Sequence, residues 1–344
     1  IPEEVLLHAG VFRIGPMRSV GVATIRNLLD FEKPLHELEE QVQELKRFTA
    51  AQGIDRSQEI AALESQLRAV TKRIYSQLAP WDKVQLARHP ARPYTLDFIR
   101  MIFDDFLELH GDRTYGDDPA IVGGLAVLNG EPVMVIGHQK GRDIKERSLR
   151  NFGSARPEGY RKAVRLLKLA QKTGRPVVSF VDTPAADCSV GAEERGISEA
   201  IARSMMEMSG IRVPVVVAIT GEGGSGGAIA TAVGDRILML EHAIYSVIPP
   251  EGCAAILWRD PSKAPQAAAA LKLTAKDVHR LGIVDRVIPE PLGGAHRDAS
   301  GAAQLLKQAI VESMDELRGL SPNELLERRY KKFRNMGRYL EMAG

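Results

Sequence analysis

Cysteine is almost absent from this chain: Cys188 and Cys253 are the only two among 344 residues. Two thiols exclude a disulfide framework and a four-thiolate zinc site, and they imply a reducing compartment with no metal held by this chain. Net charge is nearly absent too. Lys and Arg number 46 against 44 Asp and Glu, leaving +2, so overall charge points to neither a nucleic acid nor a membrane, and any basic patch has to be local. No apolar run reaches the roughly 20 residues of a membrane span, and no signal-peptide core and cleavage site can be read. The chain begins at Ile1, with Met17 as a candidate start, and Arg18 and Arg26 are too few to make a transit peptide of residues 17–27. A composition that is 44% hydrophobic and 26% charged is enough for one large α/β domain with appended helices.

Residues 1–28 match nothing that follows and stay unassigned. Over 29–80, Leu35, Leu38, Val42 and Leu45, then Ile60, Leu63, Leu67, Val70 and Ile74, repeat at helical spacing around Gly53 and Asp55. This predicts a helical hairpin, with partner docking as a use for its charged outer faces. Prolines 80, 90 and 93 predict a break before a main domain over 81–300. In that domain Thr95 caps a helix to about Leu109, and apolar runs at 121–128 and 132–138 flank Asn129-Gly130, the dipeptide suited to a type I′ hairpin, so sheet structure is expected to start there. The loop 139–150 carries five basic residues against two acidic ones, a pattern fit for coenzyme phosphates, for an acidic partner face, or simply for solvent. Strands at 177–181, 213–219, 236–240 and 243–248 alternate with helices at about 157–170, 193–209 and 226–233, which implies parallel strands joined by right-handed crossovers. Charged amphipathic helices over 301–318 and 322–341 close the chain in a segment 301–344.

The stretch Gly221-Glu-Gly-Gly-Ser-Gly-Gly-Ala228 follows the β-branched run Val213–Thr220 and precedes residues able to continue as a helix. It reads as a strand, a tight turn and a helix start. Glycines let a ligand reach the main chain, and a helix start adds unsatisfied N–H groups and a positive dipole end. Gly223, Gly224 and Gly226 are therefore candidate cradle positions for an anion or for an oxygen becoming negative. Two other readings stand beside this one. Gly223-x-Ser225-x-Gly227 fits the nucleophile elbow of a serine hydrolase, although His242, His279 and His296 are the only downstream histidines and none is marked as a base. Close packing of helix on strand is the other. No Gly-Lys-Ser/Thr ending is present, so it is not a Walker loop.

Eight segments in order are familiar together: Arg88-His-Pro-x-Arg-Pro-Tyr-Thr95, Gly137-His-Gln-Lys-Gly141, Arg150-Asn-Phe-Gly153, Pro157-Glu-Gly-Tyr-Arg-Lys-Ala163, Gly191-Ala-Glu-Glu-Arg-Gly196, Gly221–Ala228, Pro250-Glu-Gly-Cys253 and Pro289–His296. From about Leu29 to the C-terminus the chain resembles the α subunit of the carboxyltransferase component of multisubunit acetyl-CoA carboxylase. The resemblance implies a crotonase-like (ClpP/crotonase) fold of ββα superhelical repeats. It also implies transfer of a carboxyl group from carboxybiotin on a carrier protein to acetyl-CoA, giving malonyl-CoA for fatty acid synthesis. The implied partners are a β subunit with a zinc ribbon and the acyl-CoA side of a shared site, the biotin carboxyl carrier protein and biotin carboxylase, in an α2β2 core. The implied location is the bacterial cytoplasm rather than the plastid stroma. Gly227 and Ala228 match the family's backbone donors to the ureido oxygen of biotin.

One segment departs from the pattern. Asp182-Thr-Pro-Ala-Ala-Asp-Cys-Ser189 stands where the family usually has Asp-Thr-Pro-Gly-Ala-Tyr-Pro-Gly. If Ala185 and Ser189 replace positive-φ glycines, the loop takes another path or is strained. This keeps two alternatives open: another crotonase-like acyl-CoA enzyme such as a hydratase or decarboxylase, and a scaffold subunit with a degenerate biotin loop.

Overall fold

A computed structural model describes residues 28–53 and 55–337; the expected extension, except its last residue, and the end of the helix expected over 322–341 lie outside them. The first elements are α1 (Lys33–Gln52) and α2 (Ser57–Ser76), reversed at Gly53, which sits at φ 67 with its N–H on the Thr49 carbonyl. Only Leu35 and Val42 of α1 and Thr71 and Tyr75 of α2 are buried, as expected when a helix pair has little beyond its own partner to pack against. Its base is held by a cluster of Leu35, Tyr75 and Leu86.

The hairpin helix ends at Ser76, and Pro80 itself starts α3 (Pro80–Ala87). At a helix's first position the missing proline N–H has no intrahelical partner to lose. The next helix, α4 (Thr95–Ile102), is shorter than the apolar spacing predicts: Phe103 turns extended at φ −115, and Asp104–Glu108 becomes β1 against β2 (Ile121–Leu128). Sheet structure thus starts before the expected hairpin. Phe103 and Phe106 are buried in the core either way, so helix and strand patterns are hard to tell apart over so short a run. β2 pairs antiparallel with β3 (Glu131–His138) through Asn129 and Gly130 at φ 51 and 85, the backbone of a type I′ turn.

After α5 (Ile144–Leu149) and α6 (Pro157–Lys172), β4 (Val177–Thr183) runs parallel to β3 and is buried at every position. The short α7 (Val190–Glu194) and α8 (Ile197–Gly210) lead into β5 (Val215–Gly224), whose ten residues are all buried, and then to α9 (Ser225–Ile229). Next come β6 (Arg236–Leu240), β7 (Ile244–Ser246), α10 (Pro250–Trp258), α11 (Ala264–Leu271), α12 (Ala275–Arg280) and β8 (Arg286–Ile288). The last two are α13 (Ala299–Arg318) and α14 (Pro322–Arg334). The eight-stranded sheet has the order β1-β2-β3-β4-β5-β6-β8, with the strands from β3 onward parallel and β7 paired to β5. Both faces of its centre are covered, so β4 and β5 read as continuous apolar runs, not alternating ones.

β5 changes neighbours part-way along. Residues 216–219 pair with β6 and residues 222–224 with β7, while its register against β4 slips between Val181 and Thr183. The first four residues of the glycine-rich stretch therefore belong to the strand, and the turn into α9 comes later than their glycine content predicts.

Candidate active site

Glycine is required along this segment because backbone and side chains crowd it. A Cβ on Gly221 would meet the Asp182 carboxylate, one on Gly223 the Tyr245 ring at 2.6 Å, and one on Gly224 would overlap the Pro184 carbonyl. At Gly227 the neighbour is the backbone of Ala185 and Ala186, at 2.6 Å, whereas Gly226 meets only the Ile201 side chain at 3.5 Å. Close packing thus accounts for Gly221, Gly223, Gly224 and Gly227. It also seats the 185–186 segment, which departs from the expected pattern, directly on the turn.

The N–H groups of residues 225–227 open α9 and have no partner inside it. Gly227 and Ala228 are both buried, and neither donates to a backbone carbonyl outside the helix and strand ladders among the described residues. Ser225 sits at φ 52, a left-handed conformation a side chain seldom adopts. The downstream histidines are engaged elsewhere, His296 with Glu32, His279 with the Val284 carbonyl and His242 against the Tyr75 ring, so the elbow lacks its downstream base. Cys188 is exposed and Cys253 buried, and the two remain unpaired.

Beneath the turn, charged side chains from five separate segments meet. Glu222 accepts from Arg88 Nε at 2.6 Å and from Lys140 Nζ at 2.7 Å; Arg88 also reaches Glu251 at 2.5 Å, and Lys140 reaches Asp182 at 2.7 Å. Asp182 in turn accepts the Glu222 N–H at 2.9 Å. Burial alone would lower the Lys140 ammonium; Asp182 and Glu222 outweigh it and hold Lys140 charged, above its ordinary range. Arg92 Nε donates to the Thr220 carbonyl at 2.7 Å and its two terminal nitrogens to Glu290 at 3.0 and 2.6 Å. This fixes the strand one residue before Gly221. Sequence reasoning singled out the glycines and missed these charges, although Arg88, Lys140, Glu222 and Glu251 lie inside segments already noted. The signal lay in the ionisable residues that these segments carry.

The basic loop serves mainly the fold. Arg142 stacks on Tyr94 at 4.1 Å and donates to Asp97 and to the Pro90 and Arg92 carbonyls; Arg147 donates to the Gly141 carbonyl, and Arg150 to Glu146 and the Pro119 carbonyl. With Lys140 also engaged, four of the five cations that were candidates for phosphates already have partners in the chain.

Strain in the variant loop is not found. Neither Ala185 nor Ser189 is among the residues with positive φ; Ser189, at φ −72, caps α7 by accepting from Ala192 N–H. Asp187 accepts the Ser189 N–H at 3.0 Å, its own N–H reaches the Ala155 carbonyl at 2.9 Å, and Thr183 Oγ1 donates to the Ala185 carbonyl at 2.7 Å. Side-chain caps thus stabilise this loop where left-handed glycines were expected.

A family model described as acetyl co-enzyme A carboxylase carboxyltransferase-like matches residues 28–337. The chain is 56% identical over 313 residues to the acetyl-coenzyme A carboxylase carboxyl transferase subunit alpha of Geobacter metallireducens, covering 91% of this chain and 98% of that one. To the subunit of the same name in Thermus thermophilus it is 56% identical, over 91% of this chain and 99% of that one. Among solved structures, the transcarboxylase 12S hexamer core superposes with a TM-score of 0.53 at 20% identity, over 64% of this chain and 41% of the transcarboxylase chain. This places the sheet and its helices among crotonase-like folds.

Proposed function

Because the chain belongs to the family of acetyl-CoA carboxylase carboxyltransferase α subunits, we propose that its β5–α9 turn receives the biotin side of this biotin-dependent carboxyl transfer. Carboxybiotin on a carrier protein supplies the carboxyl group, and acetyl-CoA accepts it to give malonyl-CoA for fatty acid synthesis. This chain's part is to present Gly227 and Ala228 N–H groups where negative charge develops, with Gly226 allowing close approach while Gly223 and Gly224 pack the strand behind it. Fixed dipoles in a dry site stabilise such charge without reorganising. The observation that carries the reading is the buried Gly227–Ala228 backbone at the start of α9, at the point where five charged segments converge.

The acyl-CoA side belongs to a β subunit bearing the zinc ribbon, in an α2β2 core served by the biotin carboxyl carrier protein and biotin carboxylase in a bacterial cytoplasm. Val190, Val247, Ile256 and Leu257 are 75%, 79%, 72% and 64% exposed, apolar surface that supports a protein partner. No described helix is long and apolar enough to cross a membrane. An unstrained loop removes the reason to prefer a scaffold without activity.

The test is malonyl-CoA formation by purified chain with and without the β subunit. Turnover is expected only with it, and robust transfer by this chain alone would sink the shared site. In the reconstituted enzyme Gly227→Ala should lower kcat roughly 100-fold, in the range of losing one such donor, because its Cβ would push the turn off the 185–186 backbone. Ser225→Ala should stay near wild type. A dead Ser225→Ala beside an active Gly227→Ala would instead establish the elbow.

A further inference from the structure

His138 ends β3 with its side chain wholly buried, and neither ring nitrogen has a hydrogen-bond partner of ordinary geometry. Such a group seldom stays unpaired without a reason. An acceptor is in the same condition nearby. The bonds that close α9 run from Ala230 N–H to the Gly226 carbonyl, from Thr231 N–H to the Ala228 carbonyl and from Ala232 N–H to the Ile229 carbonyl, passing over the buried carbonyl of Gly227. The imidazole stands beside two main-chain groups, those of Phe180 and Gly227. Phe180 lies inside the sheet, paired with Gly137 on one side and Ala218 on the other. Gly227 has no such ladder. Tyr160 lies edge-on to the imidazole at a centroid distance of 6.4 Å.

We propose that His138 is a positioning residue of the turn: its neutral imidazole N–H donates to the Gly227 carbonyl and so orients and polarises the Gly227–Ala228 peptide, whose other end is the Ala228 N–H. A hydrogen bond at the carbonyl of a peptide strengthens the donor at its nitrogen. The bond tightens on loading, as catalytic hydrogen bonds do. A neutral imidazole has one N–H, enough for one carbonyl. Burial, followed by the Lys140 charge, pushes the ring down to about 4, so the donor stays neutral across the working pH range.

The inference rests on the Gly227–Ala228 reading, and the reconstituted enzyme with its β subunit can separate the two. His138→Leu should lower kcat at least about tenfold with KM for acetyl-CoA within about twofold, since the loss falls on the transition state alone. His138→Asn and His138→Gln place a neutral donor near one or the other ring nitrogen, and one of them should recover most of the loss. If His138→Leu does not fold, the same comparison is made with His138→Phe, and thermal midpoints show that each measured variant is intact. The kcat profile from pH 5.5 to 8.5 should keep one shape in wild type and rescued variant. Full activity in His138→Leu, or no gain in either amide variant, overturns the proposal. An inflection near pH 6.5 that vanishes with His138 overturns it too, in favour of a proton-transfer role. A dead Gly227→Ala beside an active His138→Leu would leave the turn standing and reject His138 alone, whereas an active Gly227→Ala removes both.

Discussion

Arg92 and Glu290 lie 198 positions apart in the sequence and meet through two hydrogen bonds, with side chains 1% and 0% exposed. Burial pushes the Glu290 carboxyl up, but Arg92, with His242 and the Ala295 N–H behind it, outweighs that and holds it at about 2. A carboxyl whose folded value lies below its ordinary 4.5 favours the folded state above that ordinary value, and the contribution disappears as pH falls from about 4.5 toward 2. Glu290→Gln, which leaves the Arg92 charge buried and unmatched, should lose roughly 3–5 kcal/mol at pH 7. Its deficit against wild type should shrink by pH 2.5, measured by urea unfolding at both values; an equal deficit at both would refute the pairing. The glycines of the turn were legible in the sequence because few residues other than glycine tolerate such close approach. Their charged supports were not, since Arg92, Lys140 and Glu222 look like surface residues until distant segments enclose them.

At the scale of elements, local chemistry spoke clearly where it decided the outcome. Asn129-Gly130 gave a two-residue hairpin, and Pro157 opened α6 with Ala163, Leu166, Leu167 and Ala170 turned inward, each no more than 1% exposed. The boundary between α4 and β1 was not legible, because pairing with β2 set it and that partner lies more than a dozen residues downstream. Gly130 offers a clean measure of turn chemistry. A Cβ there would meet nothing within 4 Å, so Gly130→Ala should destabilise by about 1 kcal/mol through its φ of 85 alone. The denaturant midpoint should fall with an unchanged slope; no change in midpoint would show that the hairpin relaxes to another turn type.

Across the whole molecule, the C-terminal helix is fastened by a buried cation. Arg329 of α14 donates to Asp235 at 2.9 and 2.7 Å and to the Met208 and Ile211 carbonyls at 2.8 Å. An amphipathic reading puts an arginine of so charged a helix in solvent, so this anchor was invisible from spacing. Arg329→Met should cost about 3–5 kcal/mol by stranding Asp235 and should speed hydrogen exchange first in α14 and at the start of β5; uniform exchange changes would argue against a local anchor. The span of these ties has a consequence for how the protein is made. Glu32 is bonded to Arg297 across 265 positions, and Arg92 waits for Glu290 across 198. At about 5–20 residues per second of synthesis, the ribosome leaves Arg92 without its carboxylate for roughly 10–40 seconds. The nascent chain therefore completes these two ties only after residues 290 and 297 have been made, and a chaperone that shields the emerging half-sheet has that interval in which to act.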